Sequence, residues 1–213
     1  MPTVLLTGFE PFDTDPVNPS WEAVRQLDGM KLGDDVKIVA RQLPCAFSTV
    51  GQCLAQMLDE LQPAMVIATG LGPGRSDICV ERVAINVNDA RIPDNLGEQP
   101  VDTAVAVGGP AAYFSTLPIK AMVKAMREAG IAASVSQTAG TFVCNQLFYL
   151  LQHALAGTAV RSGFIHVPYL PEQGVAYGKP SMALTTQVEG LRVAVCAAWE
   201  TELDAVEVGG QVS

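Results

Sequence analysis

The stretch "TVLLTGF" (residues 3–9), followed by "NPSWEAVRQL" (18–27) and "DVKIVARQL" (35–43), decides the fold class. The first and third segments are apolar runs with the length of a strand, whereas the middle segment has apolar residues at helical spacing. Asn18 stands where a helix cap is expected, and the proline after it suits the first helical turn. A strand, a helix and a second strand in this order predict a parallel strand pair joined by a crossover.

The same alternation continues along the rest of the chain. Further strands are predicted at 64–70, 77–88, 131–139 and 161–171, and further helices at 47–63, 118–130, 144–157 and 181–203. The pattern therefore predicts an α/β protein with a mostly parallel sheet. A chain of 213 residues fits one domain, which we expect to span 1–213 with a flexible tail at about 207–213.

The charge and the cysteines restrict the possible partners and locations. Thirteen basic and 22 acidic residues leave a net charge of −9, which repels phosphate backbones and anionic lipid, so neither nucleic acid nor a membrane is an expected partner. The first residues lack the basic region of a signal peptide, and no apolar run reaches the ~18 residues of a membrane span. The five cysteines have no CxxC or zinc-type spacing. We expect a cytoplasmic protein with reduced thiols and without a metal or cofactor.

Cys144 stands in "SQTAGTFVCNQLFYLL" (136–151), after a turn of small residues and at the start of a predicted helix. A free cysteine is most often a small buried hydrophobe. The start of a helix, however, carries partial positive charge and free N–H groups that favour a thiolate. Cys144 is therefore a candidate nucleophile, provided that a base lies beside it.

Two histidines are available to supply that base. His153 follows Cys144 by nine residues, which is about 2.5 helical turns and places it on the opposite side of the helix. His166 lies near the end of a predicted strand, where ligands bind in parallel sheets. His166 is the candidate base, and His153 is expected to be structural or exposed.

Alternation in "ICVERVAINV" (78–87) places Glu81 on the apolar face of a predicted strand. A buried carboxylate is costly unless it is paired. One interpretation pairs it with a nearby arginine; the candidates are Arg75, Arg82 and Arg91. The other pairs it with a histidine N–H, where it would orient the imidazole as a triad carboxylate does. The alternative orienting residue is Asp94, in an irregular segment at 89–112 that proline and glycine interrupt.

Several segments together resemble one protein family. They are "TGFEPF" (7–12), "NPSWEAV" (18–24), "GRSDICVERVAINVNDARIPDN" (74–95), "GTFVCN" (140–145) and "GFIHVPYLPEQ" (163–173). In this order they are similar to the type I pyroglutamyl peptidases, also called pyrrolidone carboxyl peptidases. The resemblance implies a three-layer α/β/α sandwich around a mostly parallel, mixed sheet, similar to those of phosphorylases and hydrolases, and a homotetrameric assembly.

The resemblance also implies an activity and a set of site residues. The family consists of cysteine exopeptidases that remove N-terminal pyroglutamate (5-oxoproline) from peptides by acyl transfer through a thioester. Its catalytic residues fall on Glu81, Cys144 and His166, the three residues already selected from the pattern. The positions that the resemblance implies in substrate binding are Phe9, Phe12, Asn18, Leu71, Arg91 and Phe142.

Aromatic rings suit pyroglutamate, because its lactam ring is flat, uncharged and partly apolar. Phe9 and Phe12 are also compatible with core packing, and Asn18 with a plain helix cap. Leu71 stands where relatives often have glutamine. That change has no consequence if the position acts through its backbone, and it weakens lactam binding if the side chain takes part.

Two other functions are compatible with the sequence. A catalytically inactive relative would act as an acidic binding module. A nucleoside phosphorylase-like enzyme would hold phosphate at "GPGR" (72–75) through backbone N–H groups and Arg75. The phosphorylase interpretation leaves Cys144 and Glu81 without a role.

Overall fold

The structure is a computed structural model that describes residues 2–33 and 35–210, and every structural statement below refers to these residues. The strands are β1 (Thr3–Phe9), β2 (Lys31–Leu32), β3 (Val36–Leu43), β4 (Met65–Leu71), β5 (Ile78–Glu81), β6 (Val83–Ile85), β7 (Ala112–Phe114), β8 (Ala133–Ser136) and β9 (Arg161–Val167). The α-helices are α1 (Pro19–Val24), α2 (Phe47–Leu61), α3 (Ile119–Glu128), α4 (Val143–Leu155), α5 (Pro171–Tyr177) and α6 (Leu184–Glu200).

Seven strands form one sheet in the order β2-β3-β1-β4-β9-β5-β8. The pairs β3-β1, β1-β4, β4-β9 and β5-β8 are parallel, whereas β2 runs antiparallel to β3 and β5 runs antiparallel to β9. The remaining two strands, β6 and β7, form a separate antiparallel pair. The mostly parallel, mixed sheet expected from the sequence is confirmed.

Helices cover both faces of this sheet. One apolar cluster joins the sheet to α1, α3 and α6, and a second cluster joins the opposite face to α2 and α4. The two faces alternate along β9, where Ile165 belongs to the first cluster and Phe164 to the second. The fold is therefore an α/β/α sandwich. None of the described helices has both the length and the apolar character required to cross a lipid bilayer.

The long strand predicted at 77–88 is wrong beyond Glu81. The chain leaves the large sheet after Glu81, and β6 pairs with β7 instead. The burial pattern also reverses, because Ala84 is buried while Val83 and Ile85 are half-buried. Glu81 is buried because every residue of the interior strand β5 is buried, not because it lies on the apolar side of a half-exposed strand.

The short elements β2, β7 and α5 were not predicted. Strands of two or three residues contain too little periodicity to be detected. The helix α5 begins at Pro171, where the sequence pattern predicts the end of a strand; proline is equally suited to the first turn of a helix. In the expected flexible tail, the Gly209 carbonyl accepts hydrogen bonds from Arg82 and Gln137, so this part is held against the body; residues 211–213 lie outside the described ranges.

Candidate active site

A cavity of about 460 Å³ opens where the carboxyl ends of β1, β4 and β9 meet. Such an edge is the usual location of ligand sites in α/β folds, and the volume is ordinary for a small ligand. The sequence-selected residues that line the cavity are Phe9, Phe12, Asn18, Leu71, Arg91, Phe142, Cys144 and His166. Glu81 lies behind them, fully buried.

The pairing of β5 with β9 brings Glu81 to His166. Cys79 lies opposite His166 in the antiparallel register, so Glu81, two residues further along, is the diagonal neighbour on the same face. The Glu81 Oε1 and His166 Nδ1 atoms are 2.7 Å apart, and both side chains are buried. Because the carboxylate can only accept, Nδ1 carries the hydrogen, and Nε2 is left for a partner in the cavity.

Arg75 is a second partner of the same carboxylate oxygen. Its Nη2 donates to Glu81 Oε1 over 2.9 Å and to the Thr138 carbonyl over 3.0 Å. The two interpretations of Glu81, as the partner of an arginine and as the partner of a histidine, are therefore both correct. Arg82 instead contacts Gln137, and Arg91 is exposed at the cavity.

Two alternatives left open by the sequence lie away from the imidazole of His166. Asp94 is buried, and its carboxylate accepts from the backbone N–H groups of Phe47, Leu96 and Glu98, which ties the irregular segment to the start of α2. His153 contacts the Tyr113 hydroxyl through Nδ1, at 2.8 Å. Asp94 therefore does not orient His166, and His153 has a structural contact as expected.

Cys144 is the second residue of α4, and its thiol lies over Gly70 of β4. A Cβ atom at position 70 would approach Cys144 Sγ to 2.8 Å, so only glycine leaves the thiol its place. Gly70 is also the register partner of His166 on the neighbouring strand. The thiol therefore lies on the same face of the sheet as the imidazole, one strand spacing away.

The first turn of α4 keeps its N–H groups free of side-chain caps. Phe142 is the N-cap residue and makes no capping hydrogen bond, and Gln146 N–H is the donor that reaches its carbonyl. The Cys144 N–H therefore faces the cavity end of the helix without an intrahelical acceptor. Asn145 anchors this turn: its amide bonds the backbone of Ile85 and Val87. The role of Asn145 was not expected from the sequence, although a polar residue at the start of a buried helix is a usable signal.

The surroundings of Cys144 raise the pKa of its thiol to about 12. Burial is the largest cause and the negative charge of Glu81 adds to it, while Arg75 and the residue's own backbone N–H act in the opposite direction. The helix start acts in the expected direction, but burial outweighs it, so the thiol still needs a base beside it to form a thiolate. A thiolate at neutral pH would require a neighbouring base to take the proton of the thiol.

His166→Ala should make alkylation of Cys144 depend on the thiol's own titration. With the pKa of Cys144 near 12, the thiolate fraction and the rate should rise about ten-fold per pH unit throughout the range from neutral to about pH 10. In the wild-type protein the His166 imidazole takes the proton of the thiol, so the alkylation rate should level off at a lower pH than in His166→Ala. Mass spectrometry of iodoacetamide-treated protein measures this, with half-buried Cys53 as the internal reference. If the alkylation rate levelled off at the same pH in the wild-type protein and in His166→Ala, the pairing of Cys144 with His166 would be contradicted.

Phe142 forms the aromatic wall of the cavity. Its ring is half-buried and meets Phe12 and Phe47 edge to face, with centroid distances of 5.4 and 5.1 Å. Phe9 also lines the cavity but is only 2% exposed and belongs to the core. Phe12 is half-buried and exposes part of its ring. Phe9, Phe12 and Phe142 therefore pack against the core and also form part of the cavity wall.

Asn18 and Leu71 contribute to the cavity in different ways. The Asn18 Oδ1 accepts from the backbone N–H and the hydroxyl of Ser20, and Nδ2 donates to the Glu10 carbonyl. Asn18 is therefore the cap of α1 and also holds the loop that carries Phe12. Leu71 is the last residue of β4 and is half-buried at the cavity wall.

A buried carboxylate, an imidazole and a thiol arranged in this order at the open edge of an α/β/α sandwich define the class of cysteine hydrolases. No group of three or more His, Cys, Asp or Glu side chains is arranged to hold a metal in residues 2–33 and 35–210. The model of the pyroglutamyl peptidase family matches residues 2–201. The chain therefore belongs to the pyroglutamyl peptidase family.

Individual relatives are similar over the full length. The pyrrolidone-carboxylate peptidase of Pseudomonas fluorescens is 78% identical over 213 residues, which is 100% of both chains. That of Cupriavidus taiwanensis is 63% identical over 217 residues and again covers 100% of both. The crystal structure of pyroglutamyl peptidase I from Bacillus amyloliquefaciens superposes with a TM-score of 0.94 at 46% identity, covering 98% of this chain and 100% of that one.

Proposed function

We propose that this protein is a cysteine exopeptidase that removes N-terminal pyroglutamate from peptides, with Cys144 as nucleophile, His166 as acid and base, and Glu81 as the orienting carboxylate. Membership of the pyroglutamyl peptidase family supports the activity. The observation that carries the assignment of roles is the 2.7 Å contact between Glu81 and His166, on the strand face where Cys144 Sγ lies over Gly70.

Acylation begins when His166 Nε2 takes the proton of the Cys144 thiol. The thiolate attacks the pyroglutamyl carbonyl carbon, and the oxygen that becomes negative is stabilised by the Cys144 N–H at the start of α4. The C–N bond then breaks as the imidazolium returns its proton to the departing amine. The products are a thioester on Cys144 and a peptide shortened by one residue.

Deacylation uses the same groups in the opposite direction. His166 takes a proton from water, which attacks the thioester carbonyl carbon. The C–S bond breaks, pyroglutamate leaves, and the proton restores the thiol of Cys144. Throughout, Glu81 stabilises the positive imidazolium and fixes the tautomer with hydrogen on Nδ1.

A comparison of three fluorogenic amides tests the proposed activity. The protein should hydrolyse the pyroglutamyl amide and leave the alanyl and prolyl amides intact, because a charged N-terminal amine is costly to bury against the aromatic rings of Phe12 and Phe142, whereas the lactam is neutral. Equal rates on all three would contradict the specificity. No hydrolysis of any of them would favour an inactive binding module.

Phe142→Ala should raise KM for the pyroglutamyl amide by roughly 5- to 30-fold with kcat little changed. Loss of one aromatic wall removes burial of one face of the lactam, which is worth about 1–2 kcal/mol. Steady-state kinetics measure the effect, and Phe114→Ala, at a ring that is 70% exposed outside the cavity, is the matched control. An unchanged KM with a lower Tm would assign Phe142 to core packing alone.

The remaining substrate contacts and the assembly belong to the same proposal. Phe9, Phe12, Asn18 and Leu71 shape the lactam pocket, and the exposed Arg91 faces the leaving peptide. We propose a single-domain chain that assembles as a homotetramer in the cytoplasm; the exposed side chains of Leu96, Val101 and Val107 support the assembly, and the five free cysteines support a reducing compartment. Light scattering of the purified protein measures the mass, and a monomer would contradict the assembly.

A nucleoside phosphorylase-like function has little support in the geometry. The guanidinium of Arg75, which would have to bind phosphate, is occupied by Glu81 and by the Thr138 carbonyl. That function also leaves the thiol of Cys144 without a task.

A further inference from the structure

Arg75 is placed by the fold between the three parts of the active site. It lies in the loop from β4 to β5, and its Nη2 bonds Glu81 Oε1 at 2.9 Å and the Thr138 carbonyl at 3.0 Å. The first bond shares the oxygen that His166 uses, and the second holds the segment that leads into Cys144. One side chain therefore links the carboxylate, the imidazole and the approach to the nucleophile.

The backbone leaves room for this side chain. A Cβ atom at Gly72 would lie 2.6 Å from Arg75 Cδ, 2.9 Å from its Nε and 3.1 Å from His166 Cβ, so only glycine allows Arg75 to pass along His166. The turn itself is closed by Gly72 N–H on the Val167 carbonyl and by Arg75 N–H on the Gly72 carbonyl. The position of the guanidinium is thus set by the end of β9, the strand that carries the imidazole.

Glu81 needs such a partner. Its Oε1 accepts both available hydrogen bonds, and its buried Oε2 has no partner among residues 2–33 and 35–210. Without Arg75 the carboxylate would be free to rotate, so that either oxygen could face Nδ1 or neither. Its negative charge would also act unopposed on the thiol, since Glu81 raises the pKa of Cys144 and Arg75 lowers it.

We propose that Arg75 is a positioning residue of the reaction: it fixes Glu81 Oε1 against His166 and offsets the repulsion between the Glu81 carboxylate and the Cys144 thiolate. This inference rests on the proposed function for its kinetic consequences, but its electrostatic consequence at Cys144 does not depend on a substrate. Arg75 also lines the cavity, but the proposal assigns its effect to these neighbours, so kcat rather than KM should respond to its replacement.

Replacement of the guanidinium tests the proposal. Arg75→Met should lower kcat by about 10- to 100-fold with KM within two-fold. Arg75→Lys should recover part of kcat, because lysine restores the positive charge but not the planar, two-donor geometry of the guanidinium. In Arg75→Met, alkylation of Cys144 by iodoacetamide at pH 7 should slow by roughly 10-fold, because removal of a nearby cation disfavours the thiolate. The matched control is Arg82→Met, since Arg82 bonds Gln137 and Gly209 outside the cavity; kcat should be unchanged.

Each result decides one question. A lower Tm with kcat and alkylation unchanged would reduce Arg75 to a structural residue, and a raised KM with unchanged kcat would make it a substrate contact; both overturn the proposal. If the wild-type protein does not hydrolyse pyroglutamyl amides, the proposed function fails. The alkylation rates of Cys144 in Arg75→Met and Arg82→Met still test the positioning role of Arg75 in that case.

Discussion

Cys144→Ala should abolish hydrolysis of pyroglutamyl amides, with kcat reduced by at least about 10⁴-fold. The side chain that forms the thioester is absent from the variant, and neither the imidazole nor the helix start can replace it. The protein should remain folded, because alanine is smaller than cysteine and the thiol contacts a glycine at position 70. Steady-state kinetics and thermal melting of the same preparation measure the two effects.

The most informative control for Cys144→Ala is Cys45→Ala. Cys45 lines the same cavity and is the other thiol that could attack a bound substrate. Its thiol, however, is buried near Cys144, Glu10 and Asp94, and these surroundings raise its pKa, so it stays protonated at neutral pH. Cys45→Ala should therefore retain activity, as should Cys53→Ser, Cys79→Ala and Cys196→Ser. Full turnover in Cys144→Ala together with loss in Cys45→Ala would reverse the assignment.

Cys144 and His166 could be selected from the sequence because their surroundings are local. A helix start and the end of a strand leave recognisable patterns within ten residues, and the open edge of a parallel sheet brings such ends together. The same holds for the fold, since the apolar runs of β1, β3, β4 and β9 are long enough to be distinguished from helices.

Glu81 was selected for a reason that is only partly correct. The alternation of apolar residues does not persist past the end of β5, and the burial of Glu81 comes from the interior position of that strand. The conclusion survives because a buried carboxylate needs a partner in either case. Which partner it meets depends on the register between β5 and β9, which no local pattern contains.

The role of Arg75 and the titration of Cys144 could not be derived from the sequence. Arg75 reaches Glu81 only because the loop at 72–75 folds along the end of β9, a path set by backbone hydrogen bonds. The pKa of Cys144 is dominated by burial, which competes with the helix start and exceeds it here. Both features depend on tertiary packing rather than on residue spacing.

Glu81→Gln should lower kcat by about 10³-fold or more while leaving the protein folded. The amide keeps the shape and a hydrogen-bonding group, but it removes the charge that stabilises the imidazolium and allows the tautomer with hydrogen on Nε2. That tautomer cannot accept the proton of the Cys144 thiol, so the thiolate is not formed. KM should change little, because Glu81 lies behind the cavity and does not line it.

The melting temperature of Glu81→Gln distinguishes a structural pairing of Glu81 with Arg75 from its pairing with His166. Removing one partner of a buried ion pair costs roughly 3–5 kcal/mol when the charge left behind is enclosed. Arg75 keeps 25% of its side chain exposed, so its charge can be hydrated and the loss should be smaller. Glu189→Gln, which removes the carboxylate of the exposed pair with Arg192, is the matched control and should change neither kcat nor Tm measurably. A large drop in Tm with kcat preserved in the folded fraction would make Glu81 a structural partner of Arg75 and would leave His166 without its proposed orienting carboxylate.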